Sequence, residues 1–222
     1  MSKPLLVFDM DGVLVDVTES YRETIAQTVQ HFTGVPFTHE SIQDVKNVGG
    51  FNDDWELSHH VIRDRGVEVP FEDVVAHFQK LFLGGLILRE RWIANPGVLE
   101  ALSTDFRFAL FTGRPRDEAD LTLARFAQNL KFDPIIGMHD VESKKPAPDG
   151  LLKIATQNPG ATLYYIGDSV DDARSAQAAN VPFIGIAAPS NPRYLDLVFA
   201  FQDIGAHAIV DDINYLHEVF TA

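Results

Sequence analysis

The apolar run Leu5-Leu6-Val7-Phe8 stops at Asp9, and a second aspartate follows at Asp11. Four consecutive apolar residues suit a strand buried on both faces, as inner strands of a parallel sheet are. Three later segments share the pattern. They are Phe108-Ala109-Leu110-Phe111 before Thr112, Leu163-Tyr164-Tyr165-Ile166 before Gly167 and Asp168, and Phe183-Ile184-Gly185-Ile186. Ile135-Ile136 and Ala208-Ile209-Val210 are shorter candidates. Residues 117–130, 149–157 and 170–180 carry helical patterns, and Asp211 is placed to cap a last helix through Phe220. Strands alternating with helices predict an α/β protein with a mostly parallel sheet.

Residues 17–94 break that alternation. They carry helical patterns at about 18–32, 38–46, 53–65 and 71–83, with no convincing strand. The segment is too long for a loop, so it reads as a helical domain inserted after the first strand. The chain leaves near Val15-Asp16-Val17 and returns at Asn95-Pro96-Gly97. Two units are therefore expected: 1–16 with 95–222, and 17–94.

Composition narrows the function. The formal net charge of −14 argues against a nucleic-acid partner, because phosphate backbones attract basic surfaces. With no cysteine, disulfides, zinc–thiolate sites and cysteine nucleophiles are excluded. The start of the chain lacks signal-peptide features, and no apolar run is long enough to span a bilayer. A cytoplasmic protein without a membrane partner, monomeric or homodimeric, is the expectation. The eight histidines are scattered and suggest no metal site.

Sheets of this kind place their sites at the carboxyl ends of strands. Asp9 and Asp11 follow the first run, Thr112, Gly113 and Arg114 the second, and Asp168, Asp171 and Asp172 the third, while Lys144-Lys145-Pro146 lies in a loop before residue 149. Carboxylates gathered at one edge repel one another, so either their pKa values rise or a cation neutralises them. Oxygen ligands without imidazole or thiolate favour a hard ion, and magnesium is the usual one beside phosphate. Magnesium and a lysine offset the repulsion between a carboxylate and a phosphate ester. Asp9 can then attack phosphorus to form an aspartyl phosphate. Asp11 can protonate the leaving oxygen and later deprotonate water. The site therefore predicts a small-molecule phosphate ester as substrate.

Four motifs in order resemble the haloacid dehalogenase superfamily, in its phosphoglycolate-phosphatase and β-phosphoglucomutase-like branch. They are Asp9-Met10-Asp11-Gly12-Val13, Phe111-Thr112-Gly113-Arg114, Lys145-Pro146-Ala147-Pro148-Asp149 and Ile166-Gly167-Asp168-Ser169-Val170-Asp171-Asp172. The resemblance implies a Rossmann-like, doubly wound core with an α-helical cap at 17–94. It implies Asp9 as nucleophile and magnesium ligand, Asp11 as acid/base with its backbone carbonyl on the metal, and Asp168 as a further ligand. Thr112 and the Gly113 amide would hold phosphate, and Lys145 would neutralise the phosphoryl group and Asp9. Asp172, with Asp171, would support the metal's surroundings. Lys144 is read as solvated. Arg114 is read either as a substrate contact or as a partner for an acidic neighbour.

True dehalogenases of this superfamily lack the second aspartate, so Asp11 argues for phosphate esters. The related mutases carry a catalytic histidine where this chain has Tyr21, which lowers a phosphomutase reading. A non-catalytic phosphometabolite-binding protein is the rival from another class. The loop Gly49-Gly50-Phe51-Asn52 corresponds to one that selects substrate in this branch. It is similar to that of a small subfamily linked loosely with histidine biosynthesis. Acidic side chains at Asp53, Asp54 and Glu56 would suit a cationic substrate such as histidinol phosphate.

Overall fold

The computed structural model describes residues 3–191 and 193–221. The chain opens with β1 (Leu5–Phe8) and the two-residue β2 (Val15–Asp16). Four helices follow: α1 (Tyr21–Thr33), α2 (His39–Val48), α3 (Asp54–Asp64) and α4 (Phe71–Leu83). A 3₁₀ turn at Leu86–Arg89 leads to β3 (Arg91–Trp92). Then come α5 (Val98–Ser103), β4 (Arg107–Phe111), α6 (Arg116–Phe126) and β5 (Phe132–Ile136). The rest is α7 (Asp149–Gln157), β6 (Leu163–Gly167), α8 (Val170–Ala179), β7 (Phe183–Ile186), α9 (Tyr194–Ile204), β8 (Ala208–Val210) and a short α10 (Glu218–Thr221).

Six strands make one sheet in the order β5-β4-β1-β6-β7-β8, with every pairing parallel. Alternate residues of each strand point to opposite faces. Leu6, Phe8, Phe108 and Leu110 join the cluster that includes Leu99, Leu102 and Ala119. Leu5, Val7, Ala109 and Tyr165 join the cluster that includes Leu151, Ala173 and Phe201. Both faces are therefore covered by helices, which is why the inner strands read as unbroken apolar runs. The order of connections reverses at β1, and the crevice beside such a reversal is where sheets of this type bind ligands.

Register aims the motifs. Phe8 pairs with Leu110 on one side and Ile166 on the other, so Asp9 stands level with Phe111 and Gly167. Thr112 and Asp168 leave the flanking strands one residue later.

The helical segment leaves and returns through one narrow neck. There β2 and β3 pair antiparallel, Val15 with Trp92 and Asp16 with Arg91. The Asp16 side chain accepts from the Thr18 amide at 2.9 Å and pairs with Arg91 at 2.6 Å. This side-chain turn delays the first helix from residue 18 to Tyr21. Thr38 caps α2 and Asp53 caps α3 through their side-chain oxygens. Val29, Ile42, Leu57, Ile62, Val74, Phe78 and Phe82 are buried among these helices.

Three expectations change. Helices α5 and α9 form in stretches outside the expected helical patterns. α6 ends at Phe126 rather than 130, because Ala127 leaves helical geometry and the buried chain turns towards β5. The final helix is not continuous and Asp211 does not cap it. Asp212 accepts from the Asn214 amide and opens a 3₁₀ turn at Ile213–Tyr215. Asn214 is drawn to the neck, bonding the Asn95 amide and the Ile93 carbonyl. Among the described residues, no helix is long and apolar enough to cross a membrane.

Candidate active site

Asp9 sits at the end of the central strand, 5% exposed. Lys145 Nζ donates to Asp9 Oδ1 at 2.8 Å and to Asp172 Oδ1 at 2.7 Å. Tyr165 also donates to Asp172 Oδ1, at 2.6 Å, and the Ser169 hydroxyl donates to Asp172 Oδ2 at 2.6 Å. Ser169 and Asp172 form a reciprocal cap at the start of α8, which fixes the Asp172 carboxylate in place. Burial raises the Asp172 pKa, but Lys145 and the hydrogen bonds from Ser169 and Tyr165 outweigh it and keep the group ionised. Lys145 stays protonated because Asp172 and Asp9 outweigh its own desolvation.

Carboxylate oxygens of Asp9, Asp168 and Asp172 lie within 4.8 Å of one another. Burial, then repulsion from Asp172, pushes the Asp168 carboxyl up to about 7. Burial also holds Asp9 well above the usual range, although Lys145 opposes it. Carboxyls packed this closely ionise more readily beside a cation, so the cluster could hold one. Asp172 is already bonded at both oxygens, so Asp9 and Asp168 are the pair that could hold one. The donor set is oxygen alone, which fits magnesium.

Gly12 makes the close approach possible. Its φ is +75°, and a Cβ there would lie 1.9 Å from Asp168 Oδ2. Any side chain would therefore displace the aspartate from the cluster.

Asp11 faces a different partner. Arg114, 1% exposed, donates to Asp11 Oδ1 from Nε at 2.8 Å and from NH2 at 2.5 Å. The same guanidinium pairs with Glu90 at 2.7 Å and donates to Thr122 at 2.9 Å. The Tyr21 ring covers it, with the guanidinium carbon 4.6 Å from the centroid. Of the two roles open to Arg114, the structure places it in acidic pairing. Tyr21 is likewise turned from the cleft: its hydroxyl shares a hydrogen bond with buried Glu118, which also accepts from Gln79 at 2.5 Å. Burial, reinforced by Asp11, pushes Glu118 up to about 8.

Thr112 is buried, and its hydroxyl accepts from the Arg114 amide at 3.2 Å. Gly113 lines the inner cleft, with the Asn52 side chain directly over it. That cleft encloses about 50 Å³. Asp9, Asp11, Asp168 and Ser169 form its floor, and Arg22, Gln43, Lys46, Asn47, Asn52 and Asp54 form its roof.

Several expected residues lie elsewhere. Asp171 does not face the aspartate cluster. Both its oxygens accept from the Gly50 amide, at 2.8 and 2.9 Å, so it docks the loop of the helical segment. Gly49 lies against Asp171 and Arg174. Phe51 stacks on His60 with centroids 4.6 Å apart and packs with the helices, leaving Asn52 as the loop's contribution to the cleft. Lys144 is not simply solvated, since it pairs with Asp53 at 2.5 Å and Glu56 at 2.9 Å. Sequence reasoning passed over Arg22, Gln43, Lys46 and Asn47. The signal available was spacing: Gln43, Lys46 and Asn47 stand at i, i+3 and i+4 on one face of α2.

A family model described as haloacid dehalogenase-like hydrolase matches residues 6–186. A phosphoglycolate phosphatase of Psychrobacter arcticus is 26% identical, covering 100% of this chain and 99% of that protein. An imidazoleglycerol-phosphate dehydratase of Phytophthora nicotianae is 32% identical over 205 residues, which is 85% of this chain. The chain spans only 45% of that dehydratase's length. The crystal structure of a haloacid dehalogenase-like protein from Agrobacterium tumefaciens superposes with a TM-score of 0.77 at 23% identity, covering 99% of this chain and 98% of that one. Fold, site and relatives define a hydrolytic enzyme of the phosphatase class. The chain belongs to the haloacid dehalogenase-like hydrolase family.

Proposed function

We propose that this phosphatase hydrolyses a small phosphomonoester with magnesium, through an aspartyl phosphate on Asp9. The reading rests on the contact of Lys145 Nζ with Asp9 Oδ1 at 2.8 Å, beside the oxygens of Asp168 and Asp172. A cation held by Asp9 and Asp168 would supply the positive charge that lets a carboxylate approach an anionic ester.

Asp9 attacks phosphorus while Lys145 offsets charge on Asp9 and on the phosphoryl oxygens. Thr112 and the Gly113 amide hold those oxygens. Asp11 gives its proton to the departing alkoxide, then accepts one from the water that cleaves the aspartyl phosphate. Both bonds from Arg114 go to Oδ1 of Asp11, so Oδ2 is the oxygen left to carry that proton.

Residues 17–94 act as a cap that selects the ester and excludes water. Contacts of Gly50 with Asp171 and of Lys144 with Asp53 and Glu56 support that role, since they join the helical segment to the core across the cleft. The mutase alternative draws no support from Tyr21, whose hydroxyl is engaged by Glu118.

Asp9→Asn is the direct test. Phosphate release from a panel of metabolite esters should require magnesium and vanish in the variant. Full activity in Asp9→Asn would refute the covalent route.

A further inference from the structure

The roof of the inner cleft is unusual in its charges. The acidic side chains beside the double glycine are already engaged. Asp53 caps α3 and pairs with Lys144, as Glu56 does, and Asp54 pairs with Lys46 at 2.7 Å. They offer nothing to a cationic substrate. Arg22 differs. It is half-buried, and its guanidinium has no hydrogen-bond or ion-pair partner among the described residues. It lines the inner cleft and also the adjoining cavity of about 510 Å³, so it stands on the partition between them.

An unpartnered guanidinium held in a wall opposite a phosphoryl-transfer site is a poised anion receptor. Lys46 stands in the same roof and adds a second cation, partly offset by Asp54. Asp211 and Asp212 line the outer cavity and repel an anion placed further out. The small inner volume sets a matching limit on length.

Building on the phosphatase reading above, we propose that Arg22 recognises a second anionic group on a short phosphate ester, a carboxylate or a second phosphate placed two or three atoms from the ester oxygen. Esters with neutral tails bind less well, and cationic tails least.

Three esters with the same two-carbon skeleton test this, phosphoglycolate, ethyl phosphate and phosphoethanolamine, and a fourth, 1,3-propanediol bisphosphate, separates carboxylate from phosphate recognition. KM should rise in the order anionic, neutral, cationic. Arg22→Gln should raise KM for the anionic esters by about tenfold to a hundredfold. The loss on ethyl phosphate should be at least about tenfold smaller than the loss on the anionic esters, and Arg22→Lys should restore much of the preference. Binding is read independently of turnover with 3-phosphonopropionate and propylphosphonate by calorimetry. The same difference should appear there and disappear in Arg22→Gln.

Equal affinity for the two phosphonates would overturn the proposal. So would an equal loss on all esters with a raised magnesium requirement, which would assign Arg22 to charge balance at Asp168. Absence of turnover with intact discrimination between the phosphonates would instead reject the phosphatase reading and keep the subsite.

Discussion

Arg114 gives two hydrogen bonds to a single oxygen of Asp11, at 2.8 and 2.5 Å, from a position with almost no solvent contact. The guanidinium is itself held by Glu90 and Thr122 and roofed by Tyr21. Asp11 therefore belongs to a rigid buried network rather than to the open cleft alone. The network joins α1, the segment before β3, and α6.

On the mechanism proposed above, that arrangement makes Arg114 a positioning residue for the acid/base step. Arg114→Lys keeps a charge but loses the fork. Its kcat should drop by about 100-fold on alkyl phosphates, whose leaving group needs a proton. The loss on p-nitrophenyl phosphate, whose leaving group does not, should stay within about tenfold. Equal losses on both would reject the assignment. Arg114→Met strands Glu90 and Asp11 and should destabilise by about 3–5 kcal/mol in chemical denaturation.

Asp168 is a carboxyl whose folded pKa, about 7, lies above the unfolded value of about 3.9. The folded state then binds the extra proton, so stability falls as pH rises between those values. The metal-free protein should lose thermal stability from about pH 5 to about pH 7.5. A cation bound by the ionised form reverses the loss. Magnesium should therefore raise Tm more at pH 7.5 than at pH 5.5. A magnesium gain that does not change with pH would contradict this account.

The sheet and the aspartate cluster were readable because buried parallel strands need unbroken apolar runs, and their ends carry the chemistry. Leu5–Phe8 followed by Asp9 states both facts in five residues. Helix α9 was not readable for the opposite reason. It buries Leu197 and Phe201 yet exposes Leu195 and Phe199 at 62% and 60%, so no polar face marks its period. The roof of the cleft was hidden differently. Arg22, Lys46 and Asn52 come from three separate stretches and meet only when the helical segment docks on the core. Phe51 was expected near the substrate because of the glycines before it. It packs on His60 because an aromatic ring gains more from burial among helices than from a wet cleft.

Glu118 offers a pH test away from the aspartate cluster. Burial raises its pKa to about 8, so its contribution to stability is lost as pH climbs through that value. Glu118→Gln keeps an oxygen that can accept from Gln79 or Tyr21, without a charge to desolvate. Between pH 6 and pH 9 the wild type should lose stability relative to Glu118→Gln, on the order of 2 kcal/mol. Denaturant midpoints across that range measure it. Parallel pH profiles for the two proteins would show that Glu118 is ionised in the fold.

Gly12 and Gly160 share a φ of +75°, but only Gly12 lies against Asp168, while a Cβ on Gly160 meets open space. The pair separates backbone strain from the clash. Gly160→Ala should cost about 1 kcal/mol, the penalty of a left-handed backbone with a side chain. Gly12→Ala carries the same penalty and must also move the Asp168 carboxylate, whose Oδ2 would sit 1.9 Å from the new methyl. Asp168 would then lie too far out of place to share the proposed cation with Asp9. Gly12→Ala should therefore lose most of its thermal stabilisation by magnesium and its phosphate release, while Gly160→Ala keeps both. Melting curves with and without magnesium, run on both variants, decide it. A full magnesium response in Gly12→Ala would mean that the close contact between Gly12 and Asp168 does not position the cation.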